Sequence, residues 1–161
     1  MKDKINIGFI GAGNLGRHAI LGLIDSYEIN VSDPMQNQEI LSLGITYISI
    51  EELCKNSDVI FLTIKPNISE EILSKISDYI DDKLIISFIA GMSLKKLEKL
   101  LSSKNIIRAM PSLGISNGLS PIAVCSNHGV EISFGEKILN KLGRCMDCLL
   151  YTSPSPRDVR S

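Results

Sequence analysis

The stretch IGFIGAGNLG, residues 7–16, decides the fold of this 161-residue chain. Its apolar start is typical of a strand, its end opens a helical pattern, and the glycines between them follow the spacing GxGxxG. In this context Gly11 permits a tight turn, Gly13 lets the backbone approach a pyrophosphate, and Gly16 lets the helix pack closely on the strand. The free N–H groups and the positive end of that helix would then face the phosphates.

We therefore predict a dinucleotide-binding loop here, with a glycine-rich turn that holds no ligand as the alternative. This glycine loop consists of Ile10, Gly11, Ala12, Gly13, Asn14, Leu15 and Gly16. Asp33 lies 20 residues after Gly13, where a carboxylate can accept a hydrogen bond from the ribose 2′-hydroxyl of the cofactor. The pair Asp33-Pro34 is also an ordinary turn signal, so a purely structural role stays open.

Cofactor preference follows from the charges around this predicted ribose site. Asp33 would repel a 2′-phosphate, and no Lys or Arg occurs from Pro34 through Glu52 to compensate for it. We therefore expect NADH to bind more tightly than NADPH. Arg17 and His18 follow the glycine loop, and we interpret both as solvated helix residues rather than phosphate ligands.

Beyond the glycine loop, short β-rich runs alternate with longer helical ones. The runs at 58–64 and 84–89 are almost entirely apolar, which is typical of strands in a parallel sheet that is covered on both faces. The sequence thus predicts an α/β fold: a doubly wound, mainly parallel, Rossmann-like sheet in a single domain over residues 1–143. The pattern also predicts a helix over 35–43, a possible strand over 45–48, and a strand over 105–110 that Pro111 ends.

The apolar pattern stops after Gly143. Residues 144–161 read RCMDCLLYTSPSPRDVRS, with no periodicity and a Ser-Pro-Ser-Pro run. We interpret them as a disordered or artefactual tail, because CLLYTSPSPRD resembles translated sequencing-adapter read-through. A flexible linker is the alternative.

Composition excludes several classes of partner. The chain has 17 Lys and Arg against 18 Asp and Glu, without a clustered basic patch, so we expect no nucleic-acid partner. No apolar run reaches the roughly 18 residues of a membrane span, and we expect a cytoplasmic protein without a membrane partner. A zinc site needs about four N or S ligands. Cys145 and Cys148 form one CxxC pair, but no second pair of ligands lies near it in sequence, so we expect no metal. The other cysteines and the histidines are Cys54, Cys125, His18 and His128.

Three further segments carry a specific resemblance. VIFLTIKPN (59–67), IISFIAGMSLKKLE (85–98) and IIRAMPSLGISNGLSPI (106–122) follow the glycine loop in this order. With that loop, they resemble the N-terminal dinucleotide-binding domain of the pyrroline-5-carboxylate reductase family over about residues 5–143.

The resemblance implies a set of cofactor contacts. The backbone after the third strand would line the nicotinamide side of the cofactor, and the turn after the next strand would form a wall of the same crevice. By resemblance these residues are Thr63, Ile64, Lys65, Pro66, Ala90 and Gly91. Lys65 is interpreted as a cofactor-binding residue rather than a proton donor, and the resemblance assigns no catalytic residue.

The implied activity is NAD(P)H-dependent reduction of a small cyclic imine, 1-pyrroline-5-carboxylate, to proline. Family members continue into a helical C-terminal domain that binds the substrate and forms a homo-oligomer, and nothing similar occurs here, so we expect the 161-residue chain alone to be inactive. Two alternatives stay open. One is another Rossmann oxidoreductase, such as a deazaflavin-dependent NADP reductase or a hydroxyacid dehydrogenase. The other is a non-enzymatic nucleotide-binding regulator related to competence-associated homologues, suggested by Ser112 where the family commonly has Asn.

Overall fold

The computed structural model describes residues 5–80, 83–102, 105–111, 121–127 and 132–147. Its strands are β1 (Asn6–Ile10), β2 (Glu28–Ser32), β3 (Val59–Leu62), β4 (Leu84–Ser87), β5 (Ile106–Pro111), β6 (Pro121–Ser126) and β7 (Arg144–Asp147). Its helices are α1 (Asn14–Leu23), α2 (Gln38–Ser42), α3 (Ile50–Asn56), α4 (Pro66–Ile76), α5 (Leu94–Leu101) and α6 (Ile132–Leu139). A short 3₁₀ turn, Ser77–Tyr79, follows α4.

The described strands form one seven-stranded sheet in the order β2-β1-β3-β4-β5-β6-β7. The first five strands in this order run parallel, β6 runs antiparallel to β5, and β7 runs parallel to β6. This confirms the predicted α/β, doubly wound, mainly parallel sheet. The chain moves outward from β1 to β2 on one side and to β3 on the other, and ligands of such sheets bind at the carboxyl ends of the strands beside that switch point.

Two apolar clusters cover the opposite faces of the sheet, as the alternation within β3 illustrates. Val59 and Phe61 join the cluster that includes Ile20 of α1, whereas Ile60 and Leu62 join the cluster of α4 and α5. All of these side chains are fully buried. Burial on both faces explains why the strand sequences are apolar throughout instead of alternating.

Strand register aligns one residue from each parallel strand in a single row across the sheet. In order along the sheet, these residues are Ser32, Ile10, Leu62, Ser87 and Arg108. The first four of them are the last residues of their strands. The loops that follow β1, β3 and β4 therefore start side by side at one edge of the sheet, here called the carboxyl edge.

Three predicted boundaries differ in the structure. The helix predicted over 35–43 starts only at Gln38, because the Asn37 side chain accepts hydrogen bonds from the backbone N–H groups of Glu39 (2.8 Å) and Ile40 (3.2 Å) and so caps it. The possible strand over 45–48 is reduced to one isolated bridge between Val31 and Tyr47. β5 includes Pro111, one residue more than predicted. The pairing of β5 with β4 stops at Arg108, so the N–H that proline lacks breaks no hydrogen bond to β4.

The sheet also extends past the predicted domain boundary at residue 143. Residues 144–147 form β7, which pairs in parallel with residues 121–124 of β6. This corrects the predicted start of the tail: an edge strand obtains its hydrogen bonds from one neighbour and needs no strong apolar pattern of its own. The rest of the predicted tail, 148–161, lies outside the described residues.

Candidate functional site

The first glycine of the loop is required by backbone geometry. Gly11 has a φ of +94°, and its N–H donates a 2.9 Å hydrogen bond to the Ser32 carbonyl at the end of β2. A Cβ at this position would lie 2.9 Å from the Thr63 carbonyl oxygen and 2.9 Å from Cγ2 of Ile64. Both the left-handed conformation and the lack of space therefore demand glycine at position 11.

The other two glycines of the motif, Gly13 and Gly16, differ in how much space surrounds them. A Cβ on Gly16 would lie 2.7 Å from Thr63 Oγ1 and 2.8 Å from the Gly11 carbonyl oxygen, so close packing of α1 on the loop requires glycine there. A Cβ on Gly13 would meet nothing within 4 Å, and its φ of −74° is open to any residue. Crowding therefore does not require a glycine at position 13, and the approach of a pyrophosphate stays its predicted role.

The start of α1 is suited to an anion. Gly13 is its N-cap, no side chain caps it, and its first turn holds no acidic residue. The first N–H that donates within α1 is that of Arg17, which reaches the Gly13 carbonyl at 2.8 Å. The N–H groups of Asn14, Leu15 and Gly16 come before it and have no acceptor within the helix. Such free donors at the positive end of a helix are the arrangement that binds phosphate groups in other proteins.

Thr63 joins the glycine loop to β3. Its hydroxyl donates a 2.5 Å hydrogen bond to the Gly11 carbonyl and lies 3.4 Å from the Ile10 carbonyl. The resemblance predicts a backbone contact to the cofactor for this residue, and the structure adds a side-chain role in fixing the loop.

We expect Thr63→Val to lower the free energy of unfolding by about 1–2 kcal/mol, because the variant keeps the shape but leaves the Gly11 carbonyl without its donor. Thr63→Ser, which retains the hydroxyl, should lie much closer to wild type. Urea unfolding of the three proteins checks this. Equal stability of the valine and serine variants would contradict it.

The remaining residues predicted by resemblance lie in the two neighbouring loops of the carboxyl edge. Lys65 is exposed and is the N-cap of α4, with Pro66 in its first turn, and Ile64 is half-buried. Ala90 and Gly91 are exposed on the turn after β4, where Gly91 has a φ of +72°. The structure thus brings the residues after β3 and β4 to the same edge as the glycine loop.

The turn after β4 is anchored to the core through Phe88. Its ring meets the Phe61 ring edge-on with centroids 5.4 Å apart, and Phe61 stacks on Phe9 of β1 at 4.7 Å. The Phe88 N–H continues the ladder by donating to the Leu62 carbonyl at 2.9 Å, and the Ser87 hydroxyl accepts from the Ile89 N–H at 3.2 Å. The wall of the crevice is therefore tied to the strands on which the glycine loop rests.

Asp33 lies against the glycine loop. Its Oδ2 accepts a 2.7 Å hydrogen bond from the Ala12 N–H, and its Oδ1 accepts a 2.8 Å hydrogen bond from the Met35 N–H. Both bonds support the turn role that the sequence left open. Each carboxylate oxygen keeps a further lone pair, so a contact with a ribose hydroxyl stays a prediction beside that role.

Arg17 is partly exposed and also forms an ion pair that the sequence did not indicate. Its Nη1 lies 2.7 Å from Oε1 of Glu39 in α2, and its side chain is only 26% exposed. The two residues are 22 positions apart in different elements, so no local pattern connects them.

Arg108 was not singled out from the sequence. It lies in the middle of β5 with 6% of its surface exposed, and its Nε and Nη2 have no hydrogen-bond partner in the described parts of the chain. Desolvation lowers the pKa of its guanidinium. The signal in the sequence is a single charge within the apolar run IIRAM.

Two buried thiols are poor candidates for catalysis. Desolvation raises the pKa of Cys54, and also that of Cys145, to about 11, so both stay protonated at neutral pH. Among the residues with described positions, no group of three His, Cys, Asp or Glu side chains could hold a metal ion. What the carboxyl edge offers is binding and orientation by backbone groups.

Known proteins match most of this chain in sequence and in structure. A family model described as "NADP oxidoreductase coenzyme F420-dependent" matches residues 6–91. The pyrroline-5-carboxylate reductase of Aquifex aeolicus is 32% identical over 148 residues, which cover 88% of this chain and 55% of that protein. The enzyme of the same name from Haemophilus influenzae is 30% identical, with 89% and 57% covered. The chain therefore spans about half the length of these curated relatives.

Solved structures give the same result. The Plasmodium falciparum pyrroline carboxylate reductase with NADP bound matches with a TM-score of 0.82 and 27% identity, over 91% of this chain and 58% of that one. The Coxiella burnetii pyrroline-5-carboxylate reductase matches with a TM-score of 0.81 and 25% identity, over 90% and 59%. The Mycobacterium tuberculosis 3-hydroxyisobutyrate dehydrogenase, at 16% identity, shares the fold. The predicted resemblance to the N-terminal domain of pyrroline-5-carboxylate reductases is confirmed.

Proposed function

The chain belongs to the family described as NADP oxidoreductase, coenzyme F420-dependent, and on this basis we propose that it is the cofactor-binding half of an NAD(P)H-dependent reductase of 1-pyrroline-5-carboxylate. One observation carries the proposal. Three loops meet at the carboxyl edge, and in the first of them Gly13 faces open space beside an uncapped helix start. This arrangement fits the pyrophosphate of a dinucleotide.

Each loop has a part in the proposed site. The N–H groups at the start of α1 would hold the pyrophosphate, Asp33 would accept from the adenosine ribose, and residues 63–66 with 90–91 would line the nicotinamide side. The bound cofactor supplies the hydride that reduces the imine carbon. The chain's own residues orient that cofactor and give it a fixed wall, and the proposal assigns no proton transfer to any of them.

The proposal includes the partners of a complete family member. The substrate is a small cyclic imine with a carboxylate. Its binding and the homo-oligomer interface are assigned to the part of the relatives that this chain does not cover, which is 45% of the Aquifex protein, the complement of the 55% covered. A cytoplasmic location is proposed because the reaction consumes reduced nicotinamide cofactor. In the parts of the chain that the structure describes, no helix has the length and apolar character needed to cross a membrane.

The alternatives have less support. The family description names coenzyme F420, but the curated relatives, at 30–35% identity, are pyrroline-5-carboxylate reductases, so neither a deazaflavin-dependent reductase nor a hydroxyacid dehydrogenase is favoured. The regulator alternative depends on Ser112, which lies outside the described residues.

A chimera tests the proposal. Residues 1–147 of this chain replace the matching half of a bacterial relative, and the product is assayed for proline formation from 1-pyrroline-5-carboxylate with NADH and with NADPH. We expect activity in the chimera, and a roughly tenfold or larger loss in the same chimera carrying Gly13→Ala when the cofactor concentration is well below the parent's Kd. A folded chimera that binds cofactor but forms no proline would contradict the proposed reaction.

A further inference from the structure

An ion pair connects the start of α1, the helix that follows the glycine loop, with the start of α2. Arg17 lies in α1 directly after the loop, Glu39 lies in α2, and Nη1 of the arginine is 2.7 Å from Oε1 of the glutamate. The arginine side chain is 26% exposed and the glutamate side chain 48% exposed, so a solute can reach both. The pair is a contact between elements, not a neighbour effect within one helix.

The chain connects this pair to Asp33, because Arg17 follows the glycine loop that Asp33 contacts and Glu39 belongs to the segment that follows Asp33 after β2. Asp33 accepts from the Ala12 N–H within the loop, and Arg17 donates its backbone N–H to Gly13 one residue further on. After Asp33 the chain reaches Asn37, the cap of α2, with Glu39 in the first turn of that helix. In sheets of this type an acidic residue at the end of the second strand marks the adenosine ribose, and a nearby arginine accommodates the 2′-phosphate of NADP.

The charges nearby explain why Arg17 is not free to bind a 2′-phosphate. Asp33 and Glu39 are two carboxylates against one guanidinium, and no Lys or Arg occurs from Pro34 through Glu52 to add a second cation. The Glu39 carboxylate already takes a hydrogen bond from the guanidinium that a phosphate oxygen would otherwise accept.

We propose that the Arg17–Glu39 pair determines the choice between NADH and NADPH: Glu39 acts as an internal counter-ion in the place of the 2′-phosphate. The inference rests on the proposed function, because it needs a dinucleotide in this crevice. NADPH must displace Glu39 from Arg17 and leave that carboxylate near a dianionic phosphate, whereas NADH leaves the pair intact. Glu39 thus disfavours NADPH binding in addition to Asp33.

Glu39→Gln is the sharper of the two carboxylate variants. Asp33 holds the loop through two backbone N–H groups, so its replacement changes loop geometry together with charge. Exposed ion pairs such as Arg17–Glu39 contribute little to stability, so the Glu39→Gln protein should fold as wild type does. Glu28→Gln is a matched control, because Glu28 is an exposed carboxylate at the opposite, amino end of β2.

The test is calorimetric titration of the full chain with NADH and NADPH. Relative to wild type, Glu39→Gln should tighten NADPH binding roughly five- to thirtyfold and leave NADH binding within about twofold. The gain should disappear in the double variant Arg17→Gln/Glu39→Gln, be absent in Glu28→Gln, and shrink at high ionic strength because the phosphate contact is ionic.

Three results would overturn the inference alone: an unchanged ratio of the two affinities in Glu39→Gln, the same gain in Glu28→Gln, or a gain that persists without Arg17. A wild-type chain that binds neither dinucleotide would overturn the proposed function and this inference with it. Failure of the inference is therefore distinguishable from failure of the function, since in the first case both cofactors still bind.

Discussion

Gly13→Ala should weaken NAD(P)H binding about tenfold or more while leaving the free energy of unfolding within about 1 kcal/mol of wild type. The added methyl group would enter the space that the protein leaves open and would hold a pyrophosphate away from the start of α1. Gly16→Ala is the matched control. Its Cβ would lie 2.8 Å from the Gly11 carbonyl, and such overpacking costs about 1–3 kcal/mol of stability.

Calorimetric titration together with urea unfolding separates the two effects. A binding loss without a stability loss is expected at position 13, and a stability loss is expected at position 16. If Gly13→Ala binds cofactor as wild type does, the open side of the loop is not where the pyrophosphate lies. If it unfolds as easily as Gly16→Ala, the conformation at Gly13 matters to the fold after all.

Arg108→Met should raise the free energy of unfolding by about 1–4 kcal/mol. The Nε and Nη2 groups of Arg108 are buried without acceptors in the described residues, and buried donors without acceptors lower stability. Methionine removes the charge, and its flexible side chain can adapt to apolar neighbours. Arg108→Lys keeps a cation at the same place and should show no such gain.

Urea unfolding with the slope of the transition compared between variants measures this effect. A lower stability of Arg108→Met at unchanged slope would mean that the guanidinium has an acceptor in the folded chain.

Local sequence determines the glycine loop and the central strands. Gly11 and Gly16 are required by a backbone conformation and by contacts with Thr63, both of which follow from a strand, a turn and a helix in immediate succession. The apolar runs of β3 and β4 predict parallel strands because both faces are covered. These features fix the carboxyl edge, and with it the neighbourhood of every predicted cofactor residue.

Other features depend on contacts that no local pattern contains. Among the described strands β7 pairs with β6 alone, and its sequence RCMD has no alternation to indicate a strand. Arg17 and Glu39 are 22 positions apart and belong to two different helices, so only the folded chain brings them together. The late start of α2 was readable in principle: Asn37 is a preferred cap, but apolar periodicity alone placed the helix start at Met35.

β6 is antiparallel to β5, so β6 and β7 run in the direction opposite to that of the five parallel strands. β7 follows β6 in parallel, so it runs toward the amino edge, but it stops early: its last residue, Asp147, pairs with Val124, which pairs with Ala109, one residue past the Arg108 row at the carboxyl edge. Asp147 is therefore level with the carboxyl edge, on the side of the sheet away from β2. A segment that continued in the direction of β7 would move away from the crevice and would have to reverse before it could reach the glycine loop.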